Sequence, residues 1–325
     1  MDMEELIEEC RAYIENNIKL NPLVFTNFQN LQSFCQTINN EITDDCYATM
    51  YEAYKYIESI NNGELCGQKT KEEIIEIVQS FLGAISSGLK ERFIADLNNG
   101  LISLDKNHQN KCSYLTKTID GLDKHYCKVY IKYTGTIIDA VILVHEFFHT
   151  LTDVVDYKDE LTLDKNTLDY IQETVSILAE FVCIKYLENM YPIEMQSMIL
   201  YRLYEEIYID YQSASILMRY LNSVMAGMSV EELNKIFQVE ELRKVIQKQK
   251  SVFAINHFVG TMVSITKLQD TKEHNELLKC VVQKIENKEL EHIGEILPMR
   301  LNVFNIINFI NASKNTKTGK PKNGE

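Results

Sequence analysis

Two histidines four residues apart, with a glutamate beside the first, are the residues of this chain best suited to chemistry: His145, Glu146 and His149 in the run VILVHEFFHT. On a helix, positions i and i+4 share a face, so both imidazoles can reach one ion at about 2.0–2.1 Å. Glu146 stands one step round the helix, where a carboxylate can take a proton from metal-bound water and later hand it to a leaving amine. A catalytic zinc needs a third protein ligand and an open position. Glu173, on a later helical stretch, is one candidate, and Asp169, one turn earlier on the same face, is another. Spacing alone does not separate them. With 7 histidines in 325 residues the pattern is rare by chance. A merely structural histidine pair also leaves unexplained why Val141 to Val144 is apolar right up to three ionisable groups.

The elements that must position these residues are mostly helical. Apolar residues recur at helical spacing over residues 4–19, 25–39, 43–60 and 71–97, with Asn61, Asn62 and Gly63 and then Asn98, Asn99 and Gly100 as punctuation. After Gly100 the composition turns β-branched and aromatic. Residues 114–119 and 125–133 read as two strands joined at Asp120-Gly121, a hairpin signal. In the second, Val129, Ile131 and Tyr133 point one way and Lys128, Tyr130 and Lys132 the other, the mark of a half-buried strand at a sheet edge. Thr136 with Asp139 three residues on makes a capping-box-like start for the helix bearing His145 and His149. A polar loop over 156–166 precedes a second helix from Thr167 to Met190, stopped by Tyr191-Pro192, and helices continue to about residue 310 with a break near Gly227.

Bulk properties narrow the function classes. The net charge is −14 and no run of Lys and Arg lies inside the folded part, which speaks against nucleic acid as a partner. No segment approaches the roughly 18 apolar residues of a membrane span. The acidic start MDMEELIEEC lacks the pattern of a signal peptide, so the expected location is cytoplasmic. The 8 cysteines show no CxxC pair and read as reduced, half-buried hydrophobes.

The stretch YTGTIIDAVILVHEFFH, residues 133–149, together with ETVSILAE, residues 173–180, resembles oligoendopeptidase F and its thimet-oligopeptidase-like relatives. In that family a strand ending in Tyr-x-Gly-Thr leads through a short helical run with an Asp into HExGH, and a later helix reads Glu-x-x-Ser-x-x-x-Glu. The matching residues are Tyr133, Gly135, Thr136, Asp139, His145, Glu146, His149, Glu173, Ser176 and Glu180. The resemblance implies that His145, His149 and Glu173 bind one Zn2+ and that Glu146 is the general base. It implies that Ser176 and Glu180 support the ligands from behind. The implied fold is zincin-like: mainly α with a small antiparallel β-sheet, and two helical lobes around a cleft. The expected organisation is an N-terminal helical lobe over 1–105, a catalytic region over 106–310 and a disordered basic tail over 311–325. Family members are usually longer, so the chain looks like a shortened form.

Two departures bear on activity. Phe148 stands where the family has glycine, and Thr152 where a further histidine often follows. In the C-terminal part the relatives carry a histidine and tyrosines that donate to the tetrahedral oxyanion; here FAINHFVGTMVSI, residues 253–265, offers only His257. Tyr201, Tyr204, Tyr208 and Tyr211 form another candidate set of donors. The implied reaction is zinc-dependent hydrolysis of short peptides. Glu146 and His257 would be the catalytic pair, and the peptide would be laid along the edge strand against Tyr130, Tyr133 and Gly135. The competing reading is a zinc-binding but inactive relative that holds peptides or a partner.

Overall fold

The helix that carries His145 and His149 begins where a buried carboxylate closes the strand before it. In the computed structural model, which describes residues 37, 40–65, 67–107, 112–118, 125–152, 165–210, 223, 226–236, 253–297, 306 and 308–309, Asp139 is fully buried. Its carboxylate accepts the backbone N–H groups of Thr134, Gly135 and Thr136, the nearest at 2.8 Å from Gly135, and the Thr134 hydroxyl at 2.7 Å. The capping box expected from Thr136 is therefore present in its reversed half: the carboxylate reaches back to the turn. Burial pushes the Asp139 carboxyl up, and these hydrogen bonds oppose it. Gly135 sits at φ 77°, in the left-handed region, and a Cβ there would meet the Gly67 carbonyl oxygen at 2.9 Å.

Helices α1 (Asp44–Asn61), α2 (Lys71–Ile85) and α3 (Ser87–Asn98) lie ahead of the sheet in the chain. A single helix over 71–97 was the expectation from periodicity, but Ser86 is extended and divides it. Ser86-Ser87-Gly88 are poor helix formers. The break lets Leu89 and Phe93 turn back into the core that α2 lines with Phe81 and Leu82. Thr70 and Glu73 cap α2 reciprocally.

Strands β1 (Ile102–Asp105), β2 (Cys112–Thr118) and β3 (His125–Lys132) form one sheet in the order β1-β3-β2. The expected antiparallel sheet is corrected here. β2 and β3 do pair antiparallel, Tyr114 opposite Val129, but β1 pairs parallel to β3, Ile102 opposite Val129, so the sheet is mixed. β3 is consequently the central strand and not the edge. The alternation read as half-burial is real, with Val129 and Ile131 buried, yet it reports one covered face rather than an open edge.

Beyond the sheet come α4 (Ile138–Thr152), α5 (Lys165–Leu187), α6 (Pro192–Tyr204), a π-helical turn (Glu205–Asp210), α7 (Val230–Ile236), α8 (Phe253–Asp270), α9 (His274–Glu286), a 3₁₀ turn (Leu290–His292) and α10 (Ile293–Ile296). Helix α4 is apolar almost all round and packs between β3, α2 and α5. Helix α5 is the central rod, meeting α4, α6, α8 and α9. Gly260 permits a close approach of α8 to α5, since a Cβ there would lie 3.0 Å from Ile177 Cδ1 and 3.1 Å from Thr174 Cα. One hydrophobic cluster runs from Cys46 to Phe309 and joins α1 to α6 with α8, α9 and α10.

Among the described residues no helix is long and apolar enough to cross a membrane. Cys46, Cys183 and Cys280 are free thiols. The expected helices over 4–19 and most of 25–39, the Asp120-Gly121 turn, Tyr211, the side chain of Asp169 and the tail over 311–325 lie outside the described residues.

Candidate metal centre

α4 and α5 present their polar residues to each other across an otherwise apolar contact. His145 and His149 face the same way from α4, their Nε2 atoms 3.1 Å apart. Glu173 of α5 brings Oε1 to 3.6 Å from His149 Nε2. From α8, one turn before the close approach at Gly260, His257 joins them. Donor atoms of His145, Glu173 and His257 lie within 4.8 Å of one another. Glu146 is buried on α4 beside His145.

Such a convergence fits a divalent ion. Two nitrogens each about 2.0–2.1 Å from one ion in a tetrahedral array stand about 3.3 Å apart, close to the spacings seen here. Glu173 Oε2 is buried with no hydrogen-bond partner among the described residues, and burial pushes its carboxyl up. A buried, unpartnered carboxylate oxygen is costly unless a cation satisfies it. Mixed imidazole and carboxylate donors suit zinc. His145, Glu173 and His257 thus form a two-histidine, one-glutamate cluster of the zinc-binding type, the one group of this kind among the described residues.

The imidazoles are aimed from behind by two further glutamates. Glu180, fully buried on α5, places Oε2 3.0 Å from His145 Nδ1. Glu206, fully buried in the π-helical turn, accepts a hydrogen bond from His257 Nδ1. Each carboxylate engages one ring nitrogen and leaves the other for the centre. Arg202 grips both oxygens of Glu180, Nε at 2.7 Å and Nη2 at 2.9 Å, and reaches Glu205 at 3.2 Å. Burial alone would raise the Glu180 carboxyl, but Arg202 and His145 outweigh it and hold the group well below the usual carboxylate range. Burial, with the charges of His145 and His257, pushes His149 well down, toward the neutral imidazole a ligand must be. For His257 burial works the same way, but Glu206 outweighs it and pushes the ring up to about 9.

The other residues singled out from sequence fall in varied places. Ser176 Oγ is buried without a hydrogen-bond partner among the described residues. Phe148 is fully buried in the apolar core, its ring against Phe147. The Thr152 hydroxyl returns to the carbonyls of Phe148 and His149. Tyr201 stacks on Tyr54 of α1, Tyr204 meets Tyr51 tilted and Tyr208 meets Tyr47 edge-on, and Tyr201 donates to Glu205. They pack two helices together. Tyr133 donates its hydroxyl to the Lys69 carbonyl, the Gly135 carbonyl accepts from Lys69 N–H, and Tyr130 sits on the central strand opposite Ser103 and Ser113. Glu206 and Arg202 were not singled out from sequence. The signal, in retrospect, is three charged residues in RLYEE within a helix otherwise rich in Leu, Ile and Tyr.

No family model and no curated protein matches the sequence. Three solved structures do share its fold. A Bacillus anthracis strain Ames protein assigned as an oligoendopeptidase F superposes over 88% of this chain and 57% of its own, with TM-score 0.53 and 14% identity. A Chlamydophila abortus protein assigned as a peptidase covers 94% and 57%, with TM-score 0.56 and 13% identity. PZ peptidase A with an inhibitor covers 85% and 59%, with TM-score 0.50 and 13% identity. The chain therefore spans less than two thirds of each of these proteins.

Proposed function

We propose that this protein is a zinc-dependent peptidase acting on short peptides, with Glu146 as its general base. The observation that carries the reading is the convergence of His145, Glu173 and His257, with His149 Nε2 3.1 Å from His145 Nε2 and a buried Glu173 oxygen left without a hydrogen-bond partner among the described residues. The peptidase names of the solved structures that share the fold support it. His145, His149 and Glu173 would hold the ion, with His257 beside them. When bound, zinc polarises a carbonyl as a Lewis acid and makes water acidic near neutral pH. Glu146, buried next to His145, takes the proton of the attacking water and returns it to the leaving amine. Glu206 holds the His257 ring in place, and where that ring stands off the ion its remaining N–H would donate to the developing oxyanion.

An extended peptide can add only to an outer strand, and both sides of β3 are taken, so it pairs along β1 or β2. Tyr133 and Gly135 then serve substrate through the turn they build ahead of α4, their polar groups being engaged by Lys69 and Asp139.

A second reading is favoured by His257. Four protein donors make a closed centre, the form usual in structural zinc sites. The protein would then hold metal and bind a peptide or partner without cleaving. Zinc content and cleavage of a quenched peptide library, compared for wild type and Glu146→Gln, separate the readings. Zinc retained with cleavage lost is the expected result. Cleavage unchanged in Glu146→Gln refutes the role of Glu146, and zinc without turnover in wild type favours the second reading.

A further inference from the structure

Helix α6 runs directly into the π-helical turn Glu205–Asp210. Such turns bond i to i+5, so one extra residue is fitted into the turn and the side chains beyond it are rotated round the axis. Here the turn contacts α8, and Glu206 is buried against His257 instead of meeting solvent. One Glu206 oxygen takes His257 Nδ1, and the other is buried without a hydrogen-bond partner among the described residues. Burying a carboxylate this way costs stability, so its presence calls for a role.

The role is set by the ring geometry. A carboxylate accepts, so Nδ1 carries the hydrogen, and Nε2 is the nitrogen left to face His145 and Glu173. His145 is backed likewise, though by an ion-pair contact outside hydrogen-bond geometry: Glu180 Oε2 lies 3.0 Å from Nδ1, and Nε2 faces the cluster. Two rings arranged alike around one point, each backed by a buried carboxylate, are two ligands by the same criterion. We propose that Glu206 is a positioning residue that makes His257 a fourth protein donor of the metal centre, alongside His145, His149 and Glu173. The inference rests on the zinc reading above and replaces the oxyanion role given there to His257, because a ring nitrogen that binds metal has no hydrogen to donate. Such a centre accepts a further oxygen only by expanding to five ligands or by releasing one.

Cobalt loaded into the full chain in place of zinc tests this through ligand-field absorption, azide titration and metal affinity by chelator competition. Wild type is expected to show tetrahedral bands that azide does not shift. His257→Ala and Glu206→Ala should both become azide-responsive and bind metal about 10–100-fold more weakly. Glu206→Gln, whose amide oxygen still accepts from Nδ1, should keep the wild-type bands. Where Glu206→Ala does not fold, as judged by circular dichroism, Glu206→Met, which removes the acceptor at similar volume, takes its place. Combined with His257→Ala it should weaken metal binding no more than His257→Ala alone, and additive losses overturn the proposal. It is equally overturned if wild type takes up azide as His257→Ala does, or if folded Glu206→Ala matches wild type. Peptide cleavage is scored separately. Four-donor bands without turnover leave the inference standing and remove the peptidase reading, whereas turnover with azide-responsive wild-type bands does the reverse.

Discussion

Replacing Arg202 by Met should destabilise the fold by about 3 kcal/mol, the low end of the roughly 3–5 kcal/mol lost when one member of a buried ion pair is removed. Arg202 binds both oxygens of Glu180, at 2.7 and 2.9 Å, and the Glu180 side chain is 0% exposed. Without the guanidinium, that carboxylate keeps, among the described residues, only His145 Nδ1 at 3.0 Å. The low end applies because the Arg202 side chain is 15% exposed and water can enter the space it leaves. A domain is worth about 5–15 kcal/mol in all, so the loss is large. Urea unfolding followed by far-UV circular dichroism, with chelator present so that metal contributes nothing, measures it. Adding Glu180→Gln removes the stranded charge and should bring stability back to within about 1 kcal/mol of wild type. Lys279→Ala, which breaks the exposed pair with Glu276, is the control and should cost under about 0.5 kcal/mol. An Arg202→Met protein within about 0.5 kcal/mol of wild type, or a double variant no better than the single, would refute the account of Glu180 as a charge held by Arg202.

Other consequences are equally measurable. Gly260→Ala forces a Cβ to 3.0 Å from Ile177 Cδ1 and 3.1 Å from Thr174 Cα, and should cost about 1–3 kcal/mol in thermal unfolding while weakening metal binding, because it drives α8 and His257 away from α5. Zinc at about a hundredfold over its dissociation constant should raise the unfolding free energy by about 2.7 kcal/mol, a gain that His145→Ala and Glu173→Ala abolish in calorimetry. The Thr70 backbone and hydroxyl hold the Glu73 carboxyl below its usual range. A group lowered in the folded state stabilises above its unfolded pKa and loses that contribution as pH falls through the folded one. Wild type should therefore lose stability on acidification more than Glu73→Gln does, read from urea midpoints between neutral pH and about pH 3.

Much of the centre was legible because it is local. His145, Glu146 and His149 fall on one helical face by spacing alone, and the Tyr-x-Gly-Thr turn with Asp139 announces where that helix starts. Glu173 and Glu180 share a second helix, and family resemblance singled them out; the structure brings both to the α4 histidines. Strand order was not legible in the same way. β1 has four residues, too few for a periodic signal, and its parallel pairing with β3 passes over β2, the next strand in sequence. Half-burial of β3 looks the same in sequence whether its neighbours number one or two, which is why a central strand read as an edge.

Sequence by itself determined the secondary structure around the site, the two-histidine helix and the chemical class of its donors, since each depends on periodicity within a few turns. Tertiary structure alone decided that His257 joins them, that Glu206 and Arg202 stand behind the ligands, and that the α6 tyrosines pack against α1 instead of facing the centre. Those outcomes depend on where α8 and the π-helical turn land against α5. That placement is set by the close approach at Gly260 and by burial summed over the whole core, which no short window of residues records.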